Sequence, residues 1–266
     1  MPTISRRTRK QLRDEARRAR VERENAERAA AARRRRLTRL GAVAGAAALV
    51  VAVLIAVSTS HSGSGGATAG STTASSGAVS GAAATNALFA GIPQNGATLG
   101  NPNAPVKVTE FADLQCPFCR DYSVTQMPSF VDTYVKPGKV SMQFQSLAFI
   151  GPDSVRAAQV AQAAGAQDKL WNFIDLMYRN QGKENTGYAT DAYLRRLAAA
   201  VPGLDVSKAF AARDGAGVRA KLQAAQAAAT KAGVNSTPTF LVQHGSSTKA
   251  VDSAGLAAAI KAAVGS

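Results

Sequence analysis

Between Leu40 and Val57 the chain runs through eighteen residues of Leu, Gly, Ala, Val and Ile with no charged or polar side chain. As a helix rising 1.5 Å per residue, such a run spans about 27 Å, close to the ~30 Å hydrocarbon core of a bilayer. Ser58 to Ser60 can finish the crossing, which predicts one transmembrane helix over 40–58. Arg33-Arg34-Arg35-Arg36 and Arg39 precede the run, and no charge follows it for many residues. Positive flanks stay on the cytoplasmic side, so the N-terminus is expected inside and everything beyond Ser58 outside. Ala56-Val57-Ser58 would serve as a cleavage site, but a leader of that length far exceeds the usual roughly 15–30 residues. A retained signal-anchor in the cell membrane is the expectation.

The net charge of +15 follows the same division. Residues 1–40 hold fifteen Lys/Arg and five Asp/Glu, or +10, and the other 226 positions carry only +5. A basic surface for nucleic acid needs its charge on the folded part and aromatic residues to stack bases, and the tail has no aromatics. Nucleic acid is therefore not an expected partner. Residues 1–39, with Asp14/Arg18 and Glu24/Arg28 at i,i+4 spacing, read as a cytoplasmic helix that sets topology.

Residues 59–85 are almost wholly Gly, Ser, Ala and Thr, a composition that cannot bury a core and predicts a flexible linker. The folded domain is then expected over 86–266, long enough for one substantial core. Val106–Phe111 alternates apolar and polar, and Val140–Leu147 and Thr239–Val242 are further strand candidates. Helical periodicity covers 153–181, 191–200, 206–232 and 253–264. The order strand, helix, strand, helical block, strand, helix predicts an α/β fold with a helical insertion over about 152–232.

The only two cysteines stand in Cys116-Pro117-Phe118-Cys119, directly after a strand and where a helix should begin. A helix N-terminus presents unpaired N–H groups and the positive end of the macrodipole, both of which favour thiolate over thiol. Pro117 suits the first helical turn, where its missing N–H costs nothing. The spacing lets one sulfur reach the other, and an oxidising compartment lets the pair cycle through a disulfide. Three other readings stand beside this: a structural disulfide, half of an intermolecular zinc site, and an inert buried pair. A bridge closing so short a loop stabilises little, and His244 is the only histidine of the domain. No resident metal is expected.

Three stretches, VTEFADLQCPFC (108–119), KLWNFIDLMYRNQ (169–181) and GVNSTPTFLV (233–242), resemble the DsbA-like thioredoxin-fold thiol–disulfide oxidoreductases in their membrane-anchored form. The resemblance covers most of 90–266 and does not reach the tail or linker. It implies that Cys116 is the exposed nucleophile and Cys119 the buried resolving cysteine. Pro238 matches the cis-proline that lies beside the cysteines, leaving the Thr237 backbone free to pair with an extended substrate. Pro117 and Phe118 would face that substrate as well. Glu110, six residues before Cys116, matches a buried acid that could relay the Cys119 proton. Asp113 fits as a cap or turn residue, and Trp171 as core packing in preference to substrate groove.

The activity so implied is oxidation of cysteines in exported proteins through the Cys116–Cys119 disulfide, with no other cofactor. Reoxidation would fall to a quinone-linked membrane partner of the DsbB or vitamin K epoxide reductase-like kind. The best-known oxidase has Pro-His between its cysteines where this chain has Pro-Phe, which implies a less oxidising pair. A disulfide reductase or isomerase using the same cysteines is therefore the competing expectation. A membrane-anchored interaction module without catalysis is the other.

Overall fold

The computed structural model of the protein describes residues 79–265. The basic tail, the apolar run and the linker up to residue 78 lie outside the described residues. Among those described, no helix is long and apolar enough to cross a membrane.

Helix α1 (Ala82–Phe89) leads into two short strands, β1 (Gln94–Asn95) and β2 (Thr98–Leu99), and then into the central strand β3 (Val106–Asp113). Helices α2 (Pro117–Thr125) and α3 (Met127–Phe130), continued by a wider π-type turn over Val131–Val135, cross to β4 (Val140–Leu147). A helical block follows: α4 (Pro152–Gly165), α5 (Leu170–Arg179), α6 (Asp191–Ala199), α7 (Val206–Ala212) and α8 (Ala216–Lys231). The chain returns as β5 (Thr239–His244), β6 (Ser247–Val251) and α9 (Ser253–Val264).

The sheet order is β1-β2-β4-β3-β5-β6. β3 lies parallel to β4, from Val106 opposite Val140 to Asp113 opposite Leu147, and antiparallel to β5. Its last four residues are all buried, as expected of a central strand covered on both faces. That burial brings the C-terminal end of β3, and the cysteines after it, to the seam between sheet and helical block. Trp171 is core: it is 1 % exposed, its Nε1 donates to the Ala97 carbonyl at 3.1 Å, and its ring meets Phe144 edge-on at 5.8 Å.

Three readings of the sequence are corrected here. The linker assigned to 59–85 is too long at its C-terminal end, because Ala82–Phe89 is helical and Thr85 is fully buried. Its alanines, poor in pattern but the best helix formers, are held by Leu88 and Phe89 in the core and by the Thr85 hydroxyl on Asp175. The helix expected over 153–181 breaks at Asp168, which takes a left-handed φ of 57° and accepts from the Gly96 N–H at 2.8 Å. The helix expected over 206–232 breaks at Gly215, whose extended backbone caps α8.

Candidate active site

Cys116 occupies the N-cap of α2 in an extended conformation, with Pro117 at the first helical position. Its N–H donates to the Asp113 carbonyl at 3.0 Å, which closes the turn out of β3. Cys119 sits one turn in and is fully buried. Cys116 is 4 % exposed, so the resemblance overstated its openness: the Thr237–Pro238 segment lies over it. Both cysteines are free thiols in this structure. Pro117 and Phe118 point outward, and Phe118 is 73 % exposed.

Across from the cysteines, the Thr237–Pro238 peptide bond is cis and Pro238 is buried at the start of β5. The Cys116 thiol donates to the Thr237 carbonyl oxygen at 3.5 Å. A hydrogen bond from the Cys119 thiol, opposed by burial and helped by the Thr237 side chain and the N–H groups of Cys119 and Phe118, lowers the Cys116 pKa to about 6. Burial, together with the hydrogen bond and charge of Cys116, pushes the Cys119 thiol well up. The two sulfurs are thus electrically unlike: one is a ready thiolate and the other a thiol.

Glu110 lies on β3 between Phe144 and Phe240 and is 2 % exposed. Burial pushes its carboxyl up to about 8, so it holds a proton at neutral pH. When ionised it would raise Cys119, Tyr122 and Tyr178 further, which places these groups in one buried cluster. Cys116, Cys119, Thr237 and Pro238 therefore meet beyond the C-terminal end of β3, with Pro117 and Phe118 exposed beside them and Glu110 buried within the strand, in electrostatic reach of Cys119.

Sequence reasoning assigned Asp113 only a turn, and the structure gives it more. Its carboxylate, fully buried, accepts from the N–H groups of Gln115 (2.8 Å), Phe149 (3.0 Å) and Ile150 (3.1 Å) and from the Ser154 hydroxyl (2.5 Å). The turn after β3 is thereby bound to the segment after β4. Gln115 bonds Ser154 and the Asn185 N–H, and the Gln181 amide reaches the Leu114 and Cys116 carbonyls. Neutral amides on irregular backbone follow no periodicity, and no signal in the sequence marked them.

A cysteine pair opening a helix after a central strand, with a cis-proline strand start across from it, defines a thioredoxin-fold protein. The thioredoxin family model matches residues 93–262, and the chain belongs to that family. A probable disulfide bond formation protein D of Bacillus cereus is 39 % identical over 126 residues, covering 46 % of this chain and 57 % of that protein. Disulfide bond formation protein D of Bacillus subtilis is 28 % identical over 102 residues, covering 38 % and 46 %. The chain thus matches about half the length of these curated relatives. Among solved structures, oxidised BdbD of Bacillus subtilis superposes with a TM-score of 0.58 at 21 % identity, covering 65 % of this chain and 94 % of that one. DsbA of Chlamydia trachomatis gives 0.55 at 19 % identity, covering 62 % and 90 %.

Proposed function

We propose that this chain is a membrane-anchored thiol–disulfide oxidoreductase of the extracytoplasmic face, oxidising cysteine pairs of exported proteins through a Cys116–Cys119 disulfide. One observation carries the reading: the two sulfurs at the start of α2 are polarised, with Cys116 lowered to about 6 and Cys119 raised. A thiolate that is stable at neutral pH is a good leaving group, and that favours the reduced enzyme and hence oxidation of the substrate.

The substrate thiolate attacks Cys116 Sγ of the oxidised protein. The Cys116–Cys119 bond breaks, its electron pair passes to Cys119 Sγ, and that sulfur takes the proton held by Glu110. The substrate's second thiolate then attacks the substrate sulfur of the mixed disulfide, and Cys116 leaves as a thiolate. Two electrons have moved from two substrate thiols to the enzyme pair. During the exchange Thr237 pairs with the extended substrate backbone, while Pro117 and Phe118 flank it. A quinone-linked membrane partner of the DsbB or vitamin K epoxide reductase-like kind restores the disulfide, and no cofactor beyond the disulfide takes part.

The uncharged, exposed Phe118 favours a second reading, since it lends the thiolate no charge: a reductase or isomerase using the same pair. The reduction potential against glutathione decides between them. A value at or above about −180 mV supports the oxidase, and one near −270 mV the reductase. Cys119→Ala is expected to accumulate mixed disulfides with exported proteins through Cys116. A variant that traps none while Cys116 still alkylates would refute both redox readings.

A further inference from the structure

The helical block reaches into the active site through one side chain that the mechanism above does not use. Gln181 follows α5, and its Nε2 donates to the Leu114 carbonyl at 3.0 Å and to the Cys116 carbonyl at 3.2 Å. Both partners are carbonyls, which only accept, so the amide must present its NH2 end to them, one hydrogen each. The Cys116 carbonyl also receives the Arg120 N–H at 3.1 Å as the first bond of α2. Gln181 itself is held in place, because its N–H bonds the Tyr178 carbonyl at 3.2 Å and the Tyr178 hydroxyl bonds the Asp113 carbonyl at 3.3 Å. Between the two carbonyls, both arms of the Gln115 side chain are engaged with Ser154 and Asn185. The Gln115 side chain is thus committed elsewhere, and Gln181 is the side chain that joins the carbonyls on either side of it.

We propose that Gln181 is a positioning residue for the reactive cysteine, its amide clamping the Leu114 and Cys116 carbonyls so that the Cys116 sulfur stays at the N-terminus of α2. Two physical effects follow from the clamp. It fixes the extended N-cap backbone of Cys116, which aims the sulfur at the N–H groups of Phe118 and Cys119. It also sets the positive end of an amide dipole on the carbonyl of Cys116 itself, which favours negative charge on the same residue's sulfur. The helical block, remote from the cysteines in sequence, thereby adjusts how readily Cys116 ionises. The inference rests on the reading of Cys116 as the reactive thiolate.

The test compares the full-length protein with Gln181→Met, which keeps the length and removes the donors, and with Gln181→Glu, which replaces the donors by acceptors and a charge. The pH dependence of Cys116 alkylation by iodoacetamide and the equilibrium with glutathione are read for each. The expected order of Cys116 pKa is wild type, then Met, then Glu, with the Met variant raised by about one unit and its thiolate fraction near pH 6 reduced accordingly. The reduction potential should fall in the same order. Should Gln181→Glu not fold, Gln181→Met against wild type decides alone. A lowered melting temperature with unchanged Cys116 pKa and potential would overturn the proposal and leave Gln181 a structural residue. If wild-type Cys116 ionises no more readily than an ordinary cysteine, the reading of the site fails first, and the inference with it.

Discussion

Burial of Glu110 has a consequence for stability whose direction depends on pH. Its carboxyl is raised from 4.5 to about 8 in the fold by desolvation. Between these values the folded protein holds a proton that the unfolded chain releases, so stability falls as pH rises through this range. Above pH 8 the whole cost is present, on the order of 5 kcal/mol at about 1.4 kcal/mol per unit. Glu110→Gln cannot ionise, and is expected to unfold at higher denaturant than wild type at pH 8 while the two converge near pH 5. The comparison belongs in the oxidised protein, where neither thiol titrates. Parallel stability curves from pH 5 to 8.5 would show that Glu110 is not held neutral. This side chain was legible in the sequence only through the resemblance, which implies a buried acid six residues before the first cysteine. Asp113 was seen only in part: the resemblance implied a cap or turn, but its bonds to Phe149 and Ile150 cross between segments that only folding brings together.

Helix α1 stands in the described structure because a buried acid on α5 holds it. The Asp175 carboxylate, 1 % exposed, accepts from the Thr85 hydroxyl of α1, the Ser123 hydroxyl of α2 at 3.4 Å and Arg179 Nε at 2.7 Å. Three elements therefore share one charge, and the start of the domain is tied to the helix that carries the cysteines. Thr85→Val keeps the shape and removes one neutral donor, which should lower stability by about 1–2 kcal/mol. Asp175→Ala leaves Arg179 and both hydroxyls without their acceptor, and should cost about 3–5 kcal/mol. Urea unfolding followed by circular dichroism measures both, and equal effects would mean that the charge contributes nothing beyond the threonine. At this scale periodicity read well wherever one face was apolar, and β4 and α9 have the bounds the pattern predicts. It failed where a single residue ended a helix, as at Asp168 and Gly215. The edge strand β6 was also missed, because its exposed Ser247-Thr248-Lys249 offers no alternation to read.

For the whole molecule, the two conspicuous features of the sequence are meaningful only together. A polarised cysteine pair oxidises substrates only where the surroundings keep it supplied with oxidant, and the reducing cytosol does not. The charge asymmetry about Leu40–Val57 therefore decides whether the chemistry proposed for Cys116 has a place to operate, through a segment outside the described residues. If the arginines hold the N-terminus inside, a cysteine introduced as Ser64→Cys, in a background of Cys116→Ser and Cys119→Ser, should react with a membrane-impermeant maleimide in intact cells. One introduced as Ser5→Cys should react only after lysis. The full-length chain should remain with the membranes through alkaline carbonate extraction. Replacing Arg33 to Arg36 and Arg39 by asparagine removes the cytoplasmic signal and should produce a fraction in which Ser5→Cys becomes reactive from outside. With Cys116 and Cys119 restored in the same arginine variant, the inverted fraction should hold them reduced, because the same fold has been delivered to the wrong redox environment. Labelling of Ser5→Cys in intact cells carrying the native arginines would refute the proposed topology, and release of a shorter chain into the medium would refute the retained anchor.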